Sequence, residues 1–172
     1  MQHSSTVLPA RIASIAGDAY EYAFQPNPLI QDLLAAHEGY TGFLFFTATL
    51  AGEVELILRF GELKSGWGSR GCLFDSVREQ SARLAQNPEH LRSSQTARPG
   101  RNELGGTIRG TSRLFGAVGL PGDINDLFAL LVATRTHAIS GEVRDQILGQ
   151  LSTLPPQLVM VGSAGAISLA AR

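Results

Sequence analysis

The segment from Phe43 to Phe60 constrains this chain most. Leu44, Phe46, Ala48 and Leu50 alternate with their neighbours, Ala51-Gly52 makes a turn, and Val54, Leu56, Leu58 and Phe60 alternate against Glu53, Glu55 and Arg59. Side chains along a strand point to opposite faces, so this is the pattern of an antiparallel hairpin with one face in a core and one in water. Such a hairpin must bury its apolar face against other elements, and the rest of the chain supplies them. Thr107-Ile108-Arg109, a turn near Gly110-Thr111-Ser112 and Arg113 to Leu120 read as a second hairpin, stopped by Pro121-Gly122.

Helices are predicted around these hairpins. Asn27 as cap and Pro28 in the first helical position open one whose apolar residues are Leu29, Ile30, Leu33 and Leu34, continued by His37 and closed by Gly39. A second runs from about Leu73 to Gln86, with Phe74, Val77, Ala82, Leu84 and Ala85 inward, and Asn87-Pro88 ends it. Asp123 caps a third, striped by Ile124, Leu127, Phe128, Leu131 and Val132 and reaching about Ile139, with Asp126 suited to the helix dipole. Ser140 caps a fourth with Val143, Ile147, Leu148 and Leu151 inward. Arg11 to Phe24 reads as a further hairpin turning at Gly17-Asp18, and the apolar stretch Leu158 to Ala170 as a last strand pair or one bent strand. The fold class is therefore α+β, a single domain over residues 1–172, with an antiparallel sheet built from hairpins and helices packed on one face.

Composition narrows the function classes. At 172 residues and 44% hydrophobic the chain can build a real core, and no stretch approaches the roughly 18 apolar residues a spanning helix needs. Met1 to Thr6 are polar with no basic run before an apolar one, so neither a membrane protein nor a secreted precursor is expected, and a single cysteine suits a cytoplasmic setting. A net charge of −1 gives no pull towards nucleic acid. The charge is uneven, however: residues 1–62 hold two bases against seven acids, and residues 63–113 nine bases against four acids. Segments of −5 and +5 read either as a basic anion-binding face or as a basic patch that meets the acidic patch of the same or a neighbouring subunit; the second is favoured and suits a homo-oligomer.

No motif specifies a chemistry. Gly66-Trp67-Gly68-Ser69-Arg70-Gly71 spells G-x-G-x-x-G before a helix, yet Gly61 to Ser65 separate it from the strand, and Trp67 and Arg70 crowd the approach of a dinucleotide; a glycine loop is the plainer reading. His3, His37, His90 and His137 lack metal-ligand spacing, so no metal is expected. His137 suits the negative end of its helix, and His37 and His137 are the candidate axial ligands if haem is held. Cys72 opens a helix near Arg70, where a thiol is either activated or a plain buried cysteine. Residues 93–106 form the longest polar stretch, in which Arg98 and Arg101 can clamp a small carboxylate or phosphate or else be solvated.

The order of helices and hairpins, with Gly116-Ala117-Val118-Gly119-Leu120-Pro121-Gly122 running into an acidic helix start, resembles the haem-binding, glycolate-operon-type domain family, itself similar to PAS domains and profilin in layout. Leu50-Ala51-Gly52-Glu53 and Gly105-Gly106 match that family's glycine-bearing turn and Gly-Gly pair, and the resemblance covers about residues 29–134. It implies a small homo-oligomer that binds haem or a small organic acid, with no catalytic residues to carry over. The first functional expectation is thus a non-enzymatic, oligomeric ligand-binding domain, its ligand contacted by Trp67, Arg70, Arg98, Arg101 and His137. An enzyme assembled at a subunit interface, using Arg98, Arg101, His137 or Cys72, is the second; an interaction module without a ligand is the third.

Overall fold

Strand β1 (Gly42–Thr49) is buried from Phe43 to Ala48 without a break, so it must be central and covered on both faces. A computed structural model shows how; it describes residues 7–37, 42–63, 69–97, 105–151 and 154–158. β1 pairs antiparallel with β2 (Val54–Gly61) on one side and β4 (Arg113–Val118) on the other, and β3 (Thr107–Arg109) pairs with β4. The sheet order is β2-β1-β4-β3. The hairpins predicted at Phe43–Phe60 and Thr107–Leu120 are present, and the α+β class is as expected.

The register sorts the side chains into two cores. Phe43 and Phe45 of β1 stand beside Phe60 and Leu58 of β2, and with Phe115 and Ala117 of β4 they join the larger core. Helices α1 (Val7–Ala19), α2 (Pro28–Ala35), α4 (Ile124–Arg135) and α5 (Gly141–Gln150) supply its other side. On the opposite face Leu44, Phe46 and Val118, and then Ala48 and Leu114, pack on Val77 and Leu84 of α3 (Ser69–Ala85). The helices therefore cover both faces of the sheet, not one, and β1 has no wet face, although Glu55 and Arg59 of the edge strand β2 are exposed. The run Phe43-Leu44-Phe45-Phe46 already carries this message, since a half-solvated strand would need a polar residue at every second place. A bulge at Thr47/Ala48 leaves Glu55 without a register partner and turns Val54 towards the α3 side with Ile57, out of line with Leu56, Leu58 and Phe60.

The expected hairpin at Arg11–Phe24 is helical instead. Ile12, Ala16 and Ala19 are buried at spacings of four and three, the period of a helix, and Gly17-Asp18 lies within α1. One glycine costs a helix only about 1 kcal/mol, less than the burial of that stripe returns. A π-helical turn, Tyr20–Phe24, follows and sets the Phe24 ring 5.7 Å from Phe43 and 5.1 Å from Phe128. Asn27 caps α2 as predicted, its side chain accepting from the Leu29 and Ile30 amides. His37 is exposed and bonds the Leu33 carbonyl through Nδ1, so it leaves the apolar stripe.

Two helices carry surprises of burial. In α3 Phe74 and Ala82 are exposed, whereas Gln80 and Ser81 are buried, and Gln80 Oε1 accepts from the buried Thr107 hydroxyl. Helix α4 is buried all round from Ile124 to Ala133 and stops at Arg135, short of Ile139. Asp123 does not cap α4 through its side chain. It accepts instead from Arg92, at 3.0 Å, and Arg92 also reaches Asp126 at 2.5 Å and the carbonyl of Gln150 at 3.1 Å. Arg92 thus clasps the 3-10 turn Ser93–Thr96 to the start of α4 and the end of α5. Burial pushes the Asp126 carboxyl up to about 6, against the pull of Arg92. Of the predicted final strands only Leu158 lies among the described residues, and it is buried in a helical turn, not a strand.

Candidate functional site

Helix α4 ends in an unusual way, and the site grows from that end. The His137 amide bonds the Thr134 carbonyl at 3.0 Å and the Ala138 amide bonds the Ala133 carbonyl at 2.9 Å. These two bonds make a Schellman termination, whose residue after the cap sits in the left-handed region and is most often glycine. Here it is His137, at φ 56°, the one non-glycine residue with positive φ among those described. Thr136, the cap, donates its hydroxyl back to the Val132 carbonyl. The Ala138 carbonyl then accepts from both the amide and the hydroxyl of Thr111, which fastens the β3–β4 turn to the end of α4.

A pocket of about 150 Å³ opens between this junction and α1. Ile12 and Phe115, both 1% exposed, line it with Leu8 and Ala138. Arg11, Arg113 and His137 bring cationic or protonatable groups to it and Ser112 a hydroxyl, those of Thr111 and Thr136 being donated to backbone carbonyls. Arg113 is held by Glu55, Nη1 to Oε2 at 3.0 Å, while Arg11 has no hydrogen-bond or ion-pair partner among the described residues. Among the described residues no carboxylate lines the pocket, and the arrangement is suited to holding an anion.

The five sequence candidates fare differently. Trp67, Arg98 and Arg101 lie outside the described residues. Arg70 belongs to the first turn of α3. Val77 packs beside Leu44 and Val118 at one end of the sheet, and Leu84 beside Ala48 and Leu114 towards the other. Arg70, a turn or more before Val77, therefore sits at the Gly42 end on the α3 face. His137 sits by Arg113, whose register partner Thr49 closes the far end of β1, and on the opposite face. An eight-residue strand, roughly 25 Å long, separates them, so His137 and Arg70 do not form one site. Sequence reading missed Arg11 and Arg113. Once Arg11–Phe24 is a helix, Leu8, Arg11 and Ile12 share a face, and that spacing is the signal that a hairpin reading conceals. Cys72 is exposed on α3, not a buried structural cysteine.

A larger cleft, about 530 Å³, lies at the Gly42 end, walled by Tyr20, Phe24, Phe43, Leu34 and Leu120 with Gln25 and Gln31 at its polar side. The His137 pocket is too small for a porphyrin, and among the described residues no histidine, cysteine or methionine lines the larger cleft, where Tyr20 is the one side chain of a type that can hold haem iron. Among the described residues no group of His, Cys, Asp and Glu could hold a metal ion.

His137 offers a direct check that the pocket is more than a structural joint. A side chain in the left-handed region costs about 1–2 kcal/mol where glycine costs none. His137→Gly is therefore expected to raise stability by about 1 kcal/mol in urea denaturation while weakening anion binding several-fold; equal binding would make His137 a mere helix terminator. No family model matches the chain, and no curated protein or solved structure matches it.

Proposed function

We propose that this protein is a non-enzymatic domain that binds a small organic anion in the pocket formed by α1, the β3–β4 turn and the end of α4. The observation that carries this reading is the convergence of Arg11, Arg113 and the strained His137 on a small pocket with an apolar back wall. Guanidinium groups present several N–H donors in a plane and take up carboxylates through paired, charge-assisted hydrogen bonds. Left-handed backbone at a bulky residue persists where surroundings hold it, and it clusters at ligand sites. The organic acid implied by the resemblance to the glycolate-operon-type family agrees with this reading.

Homo-oligomerisation and a cytoplasmic setting belong to the same proposal and rest on the sequence. The charge argument for assembly is weakened from within, since Arg83, Arg92, Arg109 and Arg113 of the basic segment meet acceptors in their own chain. No helix among the described residues is long and apolar enough to cross a membrane.

A thermal-shift screen of small carboxylates, sulfates and phosphates tests the proposal. A ligand at about a hundred times its dissociation constant adds roughly 2.7 kcal/mol to stability. Arg11→Ala combined with Arg113→Ala is expected to weaken binding about a hundredfold, each guanidinium contributing a charged hydrogen bond worth roughly 1.5 kcal/mol or more. Folding should change by about 1–2 kcal/mol, because Arg11 is exposed whereas the Arg113 side chain is only 13% exposed and its loss leaves Glu55 unpaired. A double variant that binds as the parent does would place the anion elsewhere.

A further inference from the structure

Resting on the anion-pocket reading, we infer that Glu55 sets the ligand class: the pocket takes a small monocarboxylate with an apolar body and discriminates against phosphate esters. Glu55 is the residue that the bulge in β2 leaves without a register partner. Its carboxylate accepts from Nη1 of Arg113 at 3.0 Å, and its side chain is 34% exposed against 13% for Arg113. A guanidinium has five N–H donors, so the recorded contact leaves Arg113 with donors for a second anion. That anion must share the guanidinium with a fixed negative charge.

The charges then decide. Arg11 and Arg113 bring two positive charges and Glu55 one negative, leaving a surplus of one for a ligand to neutralise. A carboxylate carries one negative charge. A phosphate monoester carries about −1.5 to −2 at pH 7, so Glu55 repels it up to about twice as strongly on the same guanidinium, and its larger charge costs more to take out of water. The lining adds the second half of the specificity: Leu8 is 42% exposed and offers apolar surface without a hydrogen bond, so it rewards an apolar body beside the charged group, while Ile12 and Phe115, 1% exposed, close the pocket behind it. Benzoate has both features, and phenyl phosphate keeps the ring while changing the charge.

Isothermal titration of these two ligands at low salt and pH 7.5, with the wild type and with Glu55→Gln, tests the inference. The wild type is expected to bind benzoate about tenfold or more tightly than phenyl phosphate, a preference of the size that one partly screened charge contact produces. Glu55→Gln keeps the shape and removes the charge, and should narrow that preference by about tenfold; circular dichroism will show the fold unchanged, since a near-surface pair is lost. An unaltered ratio in Glu55→Gln, or tighter phenyl phosphate binding by the wild type, would overturn the role of Glu55 while leaving the pocket intact. Binding of neither ligand by either protein would overturn the pocket reading itself, and the inference with it.

Discussion

Arg92→Ala is expected to destabilise the protein by about 3–5 kcal/mol, because it strands a buried carboxylate without its cation. Arg92 is 5% exposed and Asp126 1%, and the same guanidinium also serves Asp123 and the carbonyl of Gln150. The pair is not thereby a large net source of stability, since removing two charges from water consumes most of what their attraction returns. Arg92→Met combined with Asp126→Leu should accordingly recover most of the loss, within about 1–2 kcal/mol of the parent by urea denaturation. If the double replacement is as damaging as the single one, the clasp matters for its hydrogen bonds to the chain and not for its charge balance.

The same cluster has a pH signature with a definite sign. Burial raises the Asp126 carboxyl from the ordinary 3.8 to about 6, with Arg92 opposing the rise and Asp123 adding to it. A carboxyl whose value is raised on folding holds its proton more tightly in the native state. Its contribution to stability is therefore greatest below pH 4 and is lost as pH climbs to about 6, by up to about 1.4 kcal/mol for each pH unit between the two values. Asp126→Asn removes that slope, so the stability difference between parent and variant should change across pH 4 to 6 and stay level above it. A difference that does not vary with pH would mean that Asp126 is ionised throughout.

Gly106→Ala is the second change with a large expected effect, a loss of at least about 3 kcal/mol or failure to fold. Gly106 has φ 138°, a conformation that residues with a Cβ rarely adopt, and an added Cβ would stand 2.3 Å from the Ala117 carbonyl oxygen and 2.9 Å from Cβ of Asn125. The backbone cannot retreat, because the Gly106 carbonyl accepts from the Ala117 amide at 2.9 Å and Asn125 is fixed by two bonds to Leu120. Gly149→Ala is the control: nothing lies within 4 Å of the added Cβ, and in the helix α5 it should stabilise by about 0.5–1 kcal/mol. Comparable effects at the two positions would contradict the close packing assigned to Gly106.

These residues also show how far the chain could be read in advance. The Gly105-Gly106 pair stands out in the sequence, yet its reason, the close approach of β4 and α4, exists only after folding. The β1–β2 and β3–β4 hairpins and the caps at Asn27 and Ser140 were legible because turn chemistry and period-two alternation are local. Helix α1 was obscured by Gly17-Asp18, a local turn signal overridden by the burial of Ile12, Ala16 and Ala19. Gln80 and Asp126 look like surface residues in the sequence and are buried because Thr107 and Arg92, far along the chain, satisfy them. The candidate site was legible only through His137. Arg11 and Arg113, which line one pocket, and Glu55, which pairs with Arg113, come from three elements, and nothing in their spacing announces that arrangement.

Amide chemical shifts recorded during a titration with benzoate test the central claim most directly. Binding in the proposed pocket should move the amides of Thr111 to Arg113 and of Thr136 to Ala138 most, with smaller movements around Arg11 and Ile12, and saturate at a single dissociation constant. Movements concentrated instead at Tyr20 to Gln25, Leu34 and Leu120, the walls of the larger cleft, or an absence of movement at any benzoate concentration, would contradict it.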